Sequence, residues 1–335
     1  MEKAGKLLSV IVPVYRVEAY IRTCLDSLVT DPERMERLEV LAVNDGTPDR
    51  SADIAREYAQ RYPDTFTVID QENAGHGGAW NTGLARARGK YVRFLDSDDL
   101  LENLPRLVDL LAATDADLVL TDRTVFTDGS GRERKEKIRH LPAGTLFSLD
   151  ETAWPVRGNG YSYAHFHTCT YKRTLFDGEQ PLFQPHTPYD DLILMTAPVI
   201  LGTTSLYGGF PLYRYRIGRT GQTMDPAVLR KDLPRQLVQR EYALRFAAER
   251  GPEVPRRARL LEGIVRALCK SGYDFILHLP ADRQPEALAH WSERLAAVLP
   301  EPGRIPQYRW YNLLSPRCFR LRIKLWNLWC KIRSL

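Results

Sequence analysis

Short, nearly uninterrupted apolar blocks alternate with stretches at three- and four-residue apolar spacing through the first 125 residues. Leu8-Ser9-Val10-Ile11-Val12-Pro13-Val14 is the first block, β-branched and apolar as in a strand covered on both faces. Helical spacing follows over 19–28. A second strand is predicted at 38–43, ended by the turn-forming Asn44-Asp45-Gly46. Ser51 is placed to cap a helix carrying Ile54, Ala55, Tyr58 and Ala59 on one face. A strand at 66–69 leads through a Gly-rich loop to a helix with Trp80 and Leu84. A fourth strand, 91–95, stops at Asp96-Ser97-Asp98-Asp99. A helix over 104–113 and a strand at 118–120 complete the series.

Repeated β-α units of this kind imply an α/β fold with a mostly parallel sheet between helices. Ligands of such sheets bind beyond the carboxyl ends of the strands, where Tyr15, Asp45, Gln71 and Asp96 fall. The polar stretch 129–137 reads as a solvated loop or hairpin, and 145–223 mixes short strands with irregular segments rich in aromatics, Gly, Pro and Thr. Helices are predicted at 229–250, 258–277 and 286–299 from their periodicity.

Charge changes this picture at one end. The chain's formal charge is +5, yet no acidic residue follows Glu301, while eight basic ones do, leaving 39 basic against 42 acidic residues before them. The positive excess therefore belongs to the tail, which argues for a local anionic partner and against a nucleic-acid-binding protein. Read as a helix, 317–335 sets Cys318, Leu321, Leu325, Leu328, Ile332 and Leu335 on one stripe, broadened by Phe319, Trp326 and Trp329. Arg320, Lys324 and Lys331 lie opposite. Such a helix suits a membrane interface; docking on the protein's own helices or on a second copy remains open. No apolar stretch is long enough to span a bilayer, and no secretory apolar region follows Lys6, so cytoplasmic placement with peripheral contact at the inner membrane face is expected. Cys24, Cys169, Cys269, Cys318 and Cys330 form no CxxC pair, which speaks against a disulfide framework or a zinc site.

Carboxylates clustered at a strand end repel one another, and a hard divalent ion such as Mg²⁺ or Mn²⁺ relieves this. Asp96 and Asp98 project to the same side of an extended segment. An acidic cluster is also a common solvated turn or helix cap, but its position after a buried strand favours the metal.

Val12-Pro13-Val14-Tyr15, Val43-Asn44-Asp45-Gly46, Glu72-Asn73-Ala74-Gly75, Asn81-Thr82-Gly83 and Phe94-Leu95-Asp96-Ser97-Asp98-Asp99 together resemble family 2 glycosyltransferases in order and spacing. The resemblance is dense over 7–125 and weaker to 223. It implies a GT-A fold with a C-terminal helical extension: a catalytic domain at 1–225, split near 125 into nucleotide-sugar-binding and acceptor halves, a helical domain at 226–302 and the basic tail at 303–335. It implies that Pro13 and Tyr15 line the nucleobase pocket and that Asp45 reads the base or ribose, with Asn81 assigned to donor binding beside them. Asp96 would face the ribose and metal, and Asp98 would be the principal metal ligand. Tyr189-Asp190-Asp191 resembles the family's acidic motif, whose last Asp is the catalytic base. That role falls to Asp191, the alternative being a cap on the following helix. His167 is a candidate for the metal or acceptor site, or a structural histidine. Arg216 and Arg219 would close on the donor diphosphate, unless they belong to an ordinary strand and basic surface loop.

The implied activity is inverting transfer from a nucleotide diphosphate sugar, with a UDP-sugar expected, to a hydroxyl on a carbohydrate, lipid-linked or glycoprotein acceptor in bacterial surface polysaccharide or glycoconjugate assembly. A sugar nucleotidyltransferase, or a catalytically silent carbohydrate-binding domain, are the alternatives. Three departures from the family pattern stand out: Arg16 for Asn, Thr47-Pro48 for Ser-Thr, and His76-Gly77-Gly78-Ala79-Trp80 for a Ser-Ala-Ala-Arg segment.

Overall fold

The structure is a computed structural model that describes residues 5–138, 141–150, 166–179, 181–187, 190–219, 226–277, 279–314, 317–321 and 324–325. The chain divides into two compact units, Met1–Leu149 with His165–Asp191 and Leu201–Arg219, and Asp150–Ala164 with Leu192–Ile200 and Thr220–Leu335.

The first unit is built on a ten-stranded sheet. Its strands are β1 (Leu8–Val14), β2 (Leu38–Asn44), β3 (Phe66–Asp70), β4 (Tyr91–Phe94), β5 (Leu100–Leu101), β6 (Leu118–Thr127), β7 (Glu133–Glu136), β8 (Leu146–Ser148), β9 (Cys169–Lys172) and β10 (Thr204–Ile217). The path is β3-β2-β1-β4-β9-β6-β10-β5, with β7 on β6 and β8 on β10. Every residue of β1 and of β4 is buried, Ser9 and Arg93 included, which explains their largely apolar runs. The four strands from β3 to β4 are parallel. Beyond β4 the sheet is mixed, because β9 runs antiparallel to both β4 and β6. The expected parallel pairing therefore holds for β1 to β4 and returns between β6 and β10, with β9 antiparallel between the two sets. Chain order reverses at β1, between β2 and β4, and a crevice opens at such a switch point.

The helices of this unit are α1 (Ile21–Asp26), α2 (Pro32–Arg37), α3 (Ser51–Arg61), α4 (Gly75–Arg86) and α5 (Leu104–Ala112). The short α2 was not anticipated, although Asp31 caps it by accepting from the Arg34 N–H and Pro32 occupies its first turn. Ser51 is not the cap of α3. It lies inside the first turn, fully buried, donates to Asp49 Oδ1 at 2.5 Å and accepts from the Val17 N–H. Asp49 binds the Ser51 N–H in its place. The polar stretch after β6 is a hairpin, since β7 pairs antiparallel with β6.

The second unit is helical: α6 (Ile193–Leu201, save its last residue), α7 (Pro226–Arg250), α8 (Ala258–Ile276), α9 (Gln284–Val298) and α10 (Pro306–Leu313). Trp291 of α9 is fully buried against Gly272 of α8, where a Cβ would stand 2.4 Å from the indole. The buried Arg257 guanidinium binds Asp150 and the carbonyls of Val199 and Ile200. Residues 317–321 and 324–325 are helical. Phe319 does not join the apolar stripe of the tail. It is 1% exposed and packs edge-on against Tyr273 and Tyr311, whereas Leu313, Leu321 and Leu325 are 74%, 60% and 54% exposed. Trp326, Leu328, Trp329, Cys330 and the residues after them lie outside the described residues, as does Arg322. Among the described residues no helix is long and apolar enough to cross a membrane.

Candidate active site

The carboxyl ends of β1, β2 and β4 bring three of the sequence motifs together. Pro13 is buried inside β1, and Tyr15 just beyond it is 41% exposed. Arg16 takes a left-handed conformation (φ 54°), lays its guanidinium over the Tyr15 ring and donates its N–H to Thr47 Oγ1 at 2.8 Å. Two of the departures from the family pattern are thus bonded to each other. Asp45 is 2% exposed, and its Oδ1 accepts from Gln71 Nε2 and from the Ala74 N–H, both at 2.7 Å. The Gln71–Ala74 segment at the end of β3 therefore fixes the orientation of the Asp45 carboxylate.

Asp96 is half-buried beyond β4, while Asp99 is 1% exposed. Both Asp99 oxygens are engaged: Oδ1 accepts the Arg216 N–H at 2.7 Å and Oδ2 the Tyr213 hydroxyl at 2.8 Å. Asp99 so fastens β10 to the acidic turn, a structural task. Asp98 faces Arg219, whose Nη2 lies 2.9 Å from its Oδ2. Arg216 donates from Nε to the Asp98 carbonyl and from Nη1 to Asp128. Both arginines lie over the Tyr20 ring. Burial first, then the neighbouring Asp96, pushes the Asp98 carboxyl above the usual carboxylate range. The same causes push Asp99 well above it. A divalent cation would relieve this accumulation of negative charge, so the donor set fits one.

Among the described residues, one ligand-type atom each from Asp96, Asp99 and His167 fall within 4.8 Å of one another. His167 packs in tilted contact with Tyr213 and Tyr215 and takes a 2.8 Å hydrogen bond at Nδ1 from Arg123 Nη1. In that arrangement a neutral ring carries its proton on Nε2, which makes this nitrogen a donor toward carboxylate or phosphate oxygen rather than a metal ligand. The buried Arg93 of β4 supports the segment from below. It binds the carbonyls of Cys169 and His167, and burial pushes its guanidinium down to about 10.

Asn81 of α4 spends both ends of its amide on the Phe183 backbone, donating to the carbonyl at 2.7 Å and accepting from the N–H at 3.0 Å. That geometry clamps the 181–187 segment and leaves the amide little to offer a donor. Asp190 and Asp191 form a 3-10 turn, Asp190–Leu192. Asp190 is 2% exposed and Asp191 is half-buried. Tyr189, Thr220, Gly221, Gln222 and Thr223 lie outside the described residues.

Sequence reasoning missed His76. Its Nε2 lies 3.0 Å from Asp96 Oδ1, and its Nδ1 lies 2.9 and 3.1 Å from the two oxygens of Asp190. Burial alone would push the imidazole down, but Asp190 and Asp96 outweigh it and hold it well above the usual histidine range. The only signal in the sequence was that the segment around it breaks the family pattern.

The fold is an α/β sheet with a cluster of carboxylates beyond its strand ends. The profile of the glycosyl transferase family 2 matches residues 9–178, and the chain belongs to that family. Its fold is GT-A. The putative glycosyltransferase EpsH of Bacillus subtilis is 41% identical over 128 residues, which is 37% of this chain and 36% of EpsH. The minor teichoic acid biosynthesis protein GgaB of the same organism is 41% identical over 93 residues, 28% of this chain and 10% of GgaB. The chain thus spans about a third or less of the length of these curated relatives. Among solved structures, Staphylococcus aureus TarS residues 1–349 in complex with UDP-GlcNAc shares the fold with a TM-score of 0.68 at 17% identity, over 91% of this chain and 86% of that one.

Proposed function

We propose that this protein transfers a glycosyl group from a nucleoside diphosphate sugar, with UDP as the nucleotide, to an acceptor hydroxyl with inversion. The observation that carries this reading is the placing of Asp45 and of Asp96 and Asp98 just beyond β2 and β4, the strands on either side of β1, with His76 joining Asp96 to the Asp190–Asp191 turn. Tyr15 and Asp45 would hold the nucleobase and ribose. Asp96 and Asp98 would hold a divalent Mg²⁺ or Mn²⁺, which when bound neutralises charge on the donor diphosphate. Arg219, beside Asp98, is placed to bind the same diphosphate, while Arg216 holds the acidic turn in shape.

Asp191 would take the proton of the acceptor hydroxyl as its oxygen bonds to the anomeric carbon. The bond from that carbon to the diphosphate breaks, and the nucleoside diphosphate leaves with the electron pair. The half-buried Asp191 suits this better than Asp190, which is 2% exposed and bonded to His76. The names of GgaB and TarS's bound UDP-GlcNAc favour a surface-glycan acceptor and a UDP-sugar.

The exposed Leu313, Leu321 and Leu325, beside the exposed Arg317 and Lys324, favour peripheral contact with an anionic bilayer, as would suit a lipid-linked acceptor. A second copy docking on the same basic stripe would oppose like charges. Sedimentation with anionic but not zwitterionic vesicles, abolished by Leu321→Glu, is the expected result.

The catalytic reading is tested by screening nucleotide sugars for nucleoside diphosphate release with Mn²⁺ or Mg²⁺. Asp191→Asn should lower kcat by about 10²–10⁴-fold with donor binding retained, and Asp98→Ala should lose donor binding. Unchanged turnover in both variants would sink the assignment. Pyrophosphate release from a nucleoside triphosphate and a sugar 1-phosphate would instead point to a nucleotidyltransferase, and donor binding with no turnover to a silent domain.

A further inference from the structure

His76 occupies the first turn of α4, between two carboxylates that the chain separates by 94 residues. Three features show a built arrangement. The ring rests on Trp80, with centroids 4.1 Å apart, and Trp80 is itself fully buried among Phe94, Phe166 and Phe183. The glycines on either side of His76 permit the approach. A Cβ on Gly77 would stand 2.6 Å from Asp190 Oδ2 and 2.9 Å from Phe183 Cβ, and one on Gly75 would stand 2.9 Å from the His186 backbone. Finally, the His186 N–H donates to the Ala74 carbonyl at 2.8 Å, and Asn81 clamps Phe183 one helical turn further on. Phe183, His186 and Asp190 are therefore each registered against α4 or the residue that leads into it.

We propose that His76 is a positioning residue which ties Asp96, on the donor side, to Asp190, on the turn that carries Asp191. The inference rests on the glycosyl-transfer reading and deepens it. An imidazole is rigid and presents its two nitrogens on opposite flanks, so one ring sets the separation of two carboxylates that must act on two different substrates. Through Asp190 it orients the turn carrying the base, and through Asp96 the carboxylate facing the donor. His76 itself touches neither reacting atom in this role.

The two nitrogens can be replaced separately. The amide nitrogen of Asn reaches the place of Nδ1, and that of Gln the place of Nε2. His76→Ala should lose about tenfold to hundredfold in kcat/KM, the scale expected when catalytic groups shift by about 1 Å. His76→Asn should restore kcat while leaving the donor KM raised, and His76→Gln should restore the donor KM while leaving kcat low. A residue needed only for folding would show no such split. Three variants that behave alike, or that stay within twofold of the parent, would overturn the proposal. A double-mutant cycle of His76→Ala and Asp190→Asn, read by urea midpoint, separates this inference from the reading beneath it. If the parent releases nucleoside diphosphate from no donor, glycosyl transfer fails and the cycle alone decides. A double variant that loses less than the sum of the singles supports the tie, and strict additivity removes it.

Discussion

Arg219 is paired with Asp98, its Nη2 2.9 Å from Oδ2. The residue expected to hold the metal thus meets the residue expected to hold the diphosphate. Burial and Asp96 push the Asp98 carboxyl up while Arg219 and Arg216 hold it down. Arg219 therefore supplies positive charge to Asp98 where a cation would otherwise do so, and the two compete for one carboxylate.

Arg219→Ala should accordingly have opposite effects on two measurements. Mn²⁺ binding without donor, followed by titration calorimetry, should tighten by several-fold, because Asp98 no longer has to leave an ion pair. Turnover should fall by about 10²–10³-fold, the usual cost of losing one group that stabilises developing charge. Equal weakening of both would show that Arg219 holds Asp98 in shape instead of competing for it.

Arg16 sits at φ 54°, a conformation that costs an L-residue about 1–2 kcal/mol and that Asn tolerates better than most. Family members commonly carry Asn here, so the departure has a physical cost. Arg16→Asn, which keeps the backbone N–H bonded to Thr47 Oγ1, should raise stability by about 0.5–1 kcal/mol, read as a higher urea midpoint at unchanged slope. A lower midpoint would mean that the guanidinium stacked on Tyr15 contributes more than the backbone conformation costs.

The half of the fold around β1 to β4 was legible because local pattern and burial coincide in β1, β2 and β4, which are buried and largely apolar. Asp45, Asp96 and Asp98 could be read from the same rule, since each follows such a strand. What could not be read are partners distant in sequence. The bond from His76 to Asp190, the antiparallel insertion of β9 and the engagement of Asn81 by Phe183 leave no periodicity behind. The tail illustrates a second limit. A helical wheel groups Phe319 with Leu321 and Leu325, yet a wheel does not say which face the protein covers; Phe319 turns into Tyr273 and Tyr311 while the leucines remain exposed. Ser51 illustrates a third, since Asp49 two residues earlier is the stronger acceptor for the start of α3.

Asp117 gives a pH dependence away from the site. Burial pushes its carboxyl up, but hydrogen bonds from the Thr203 hydroxyl and from the N–H groups of Thr203 and Thr204 outweigh it, so its pKa lies below the ordinary value of 3.8. A depressed carboxyl contributes stability that is present above its unfolded pKa and is lost as pH falls through the folded one. Asp117→Asn should therefore cost about 1–3 kcal/mol at pH 7, the worth of hydrogen bonds to a charged group. The difference from the parent should shrink as the pH is lowered below about 4. A gap that stays constant into acid would assign the loss to packing.

Gly83, in the Asn81-Thr82-Gly83 motif, is where α4 meets the sheet. A Cβ there would stand 2.2 Å from Cγ2 of Ile11, a fully buried side chain of β1. Ala is a better helix former than Gly by about 1 kcal/mol, yet forcing a methyl into a filled core costs about 1–3 kcal/mol. At so short a separation the second effect wins, and Gly83→Ala should be destabilising on denaturant unfolding. Because the clash is with a single side chain, the Gly83→Ala, Ile11→Ala double variant should lose less than the sum of the two single changes. The same displacement would lift α4 from β1 and carry His76 away from Asp96, so activity should fall further than stability alone accounts for. A Gly83→Ala protein with parental kinetics and a lower melting point would show that α4 can shift without disturbing the carboxylates it links.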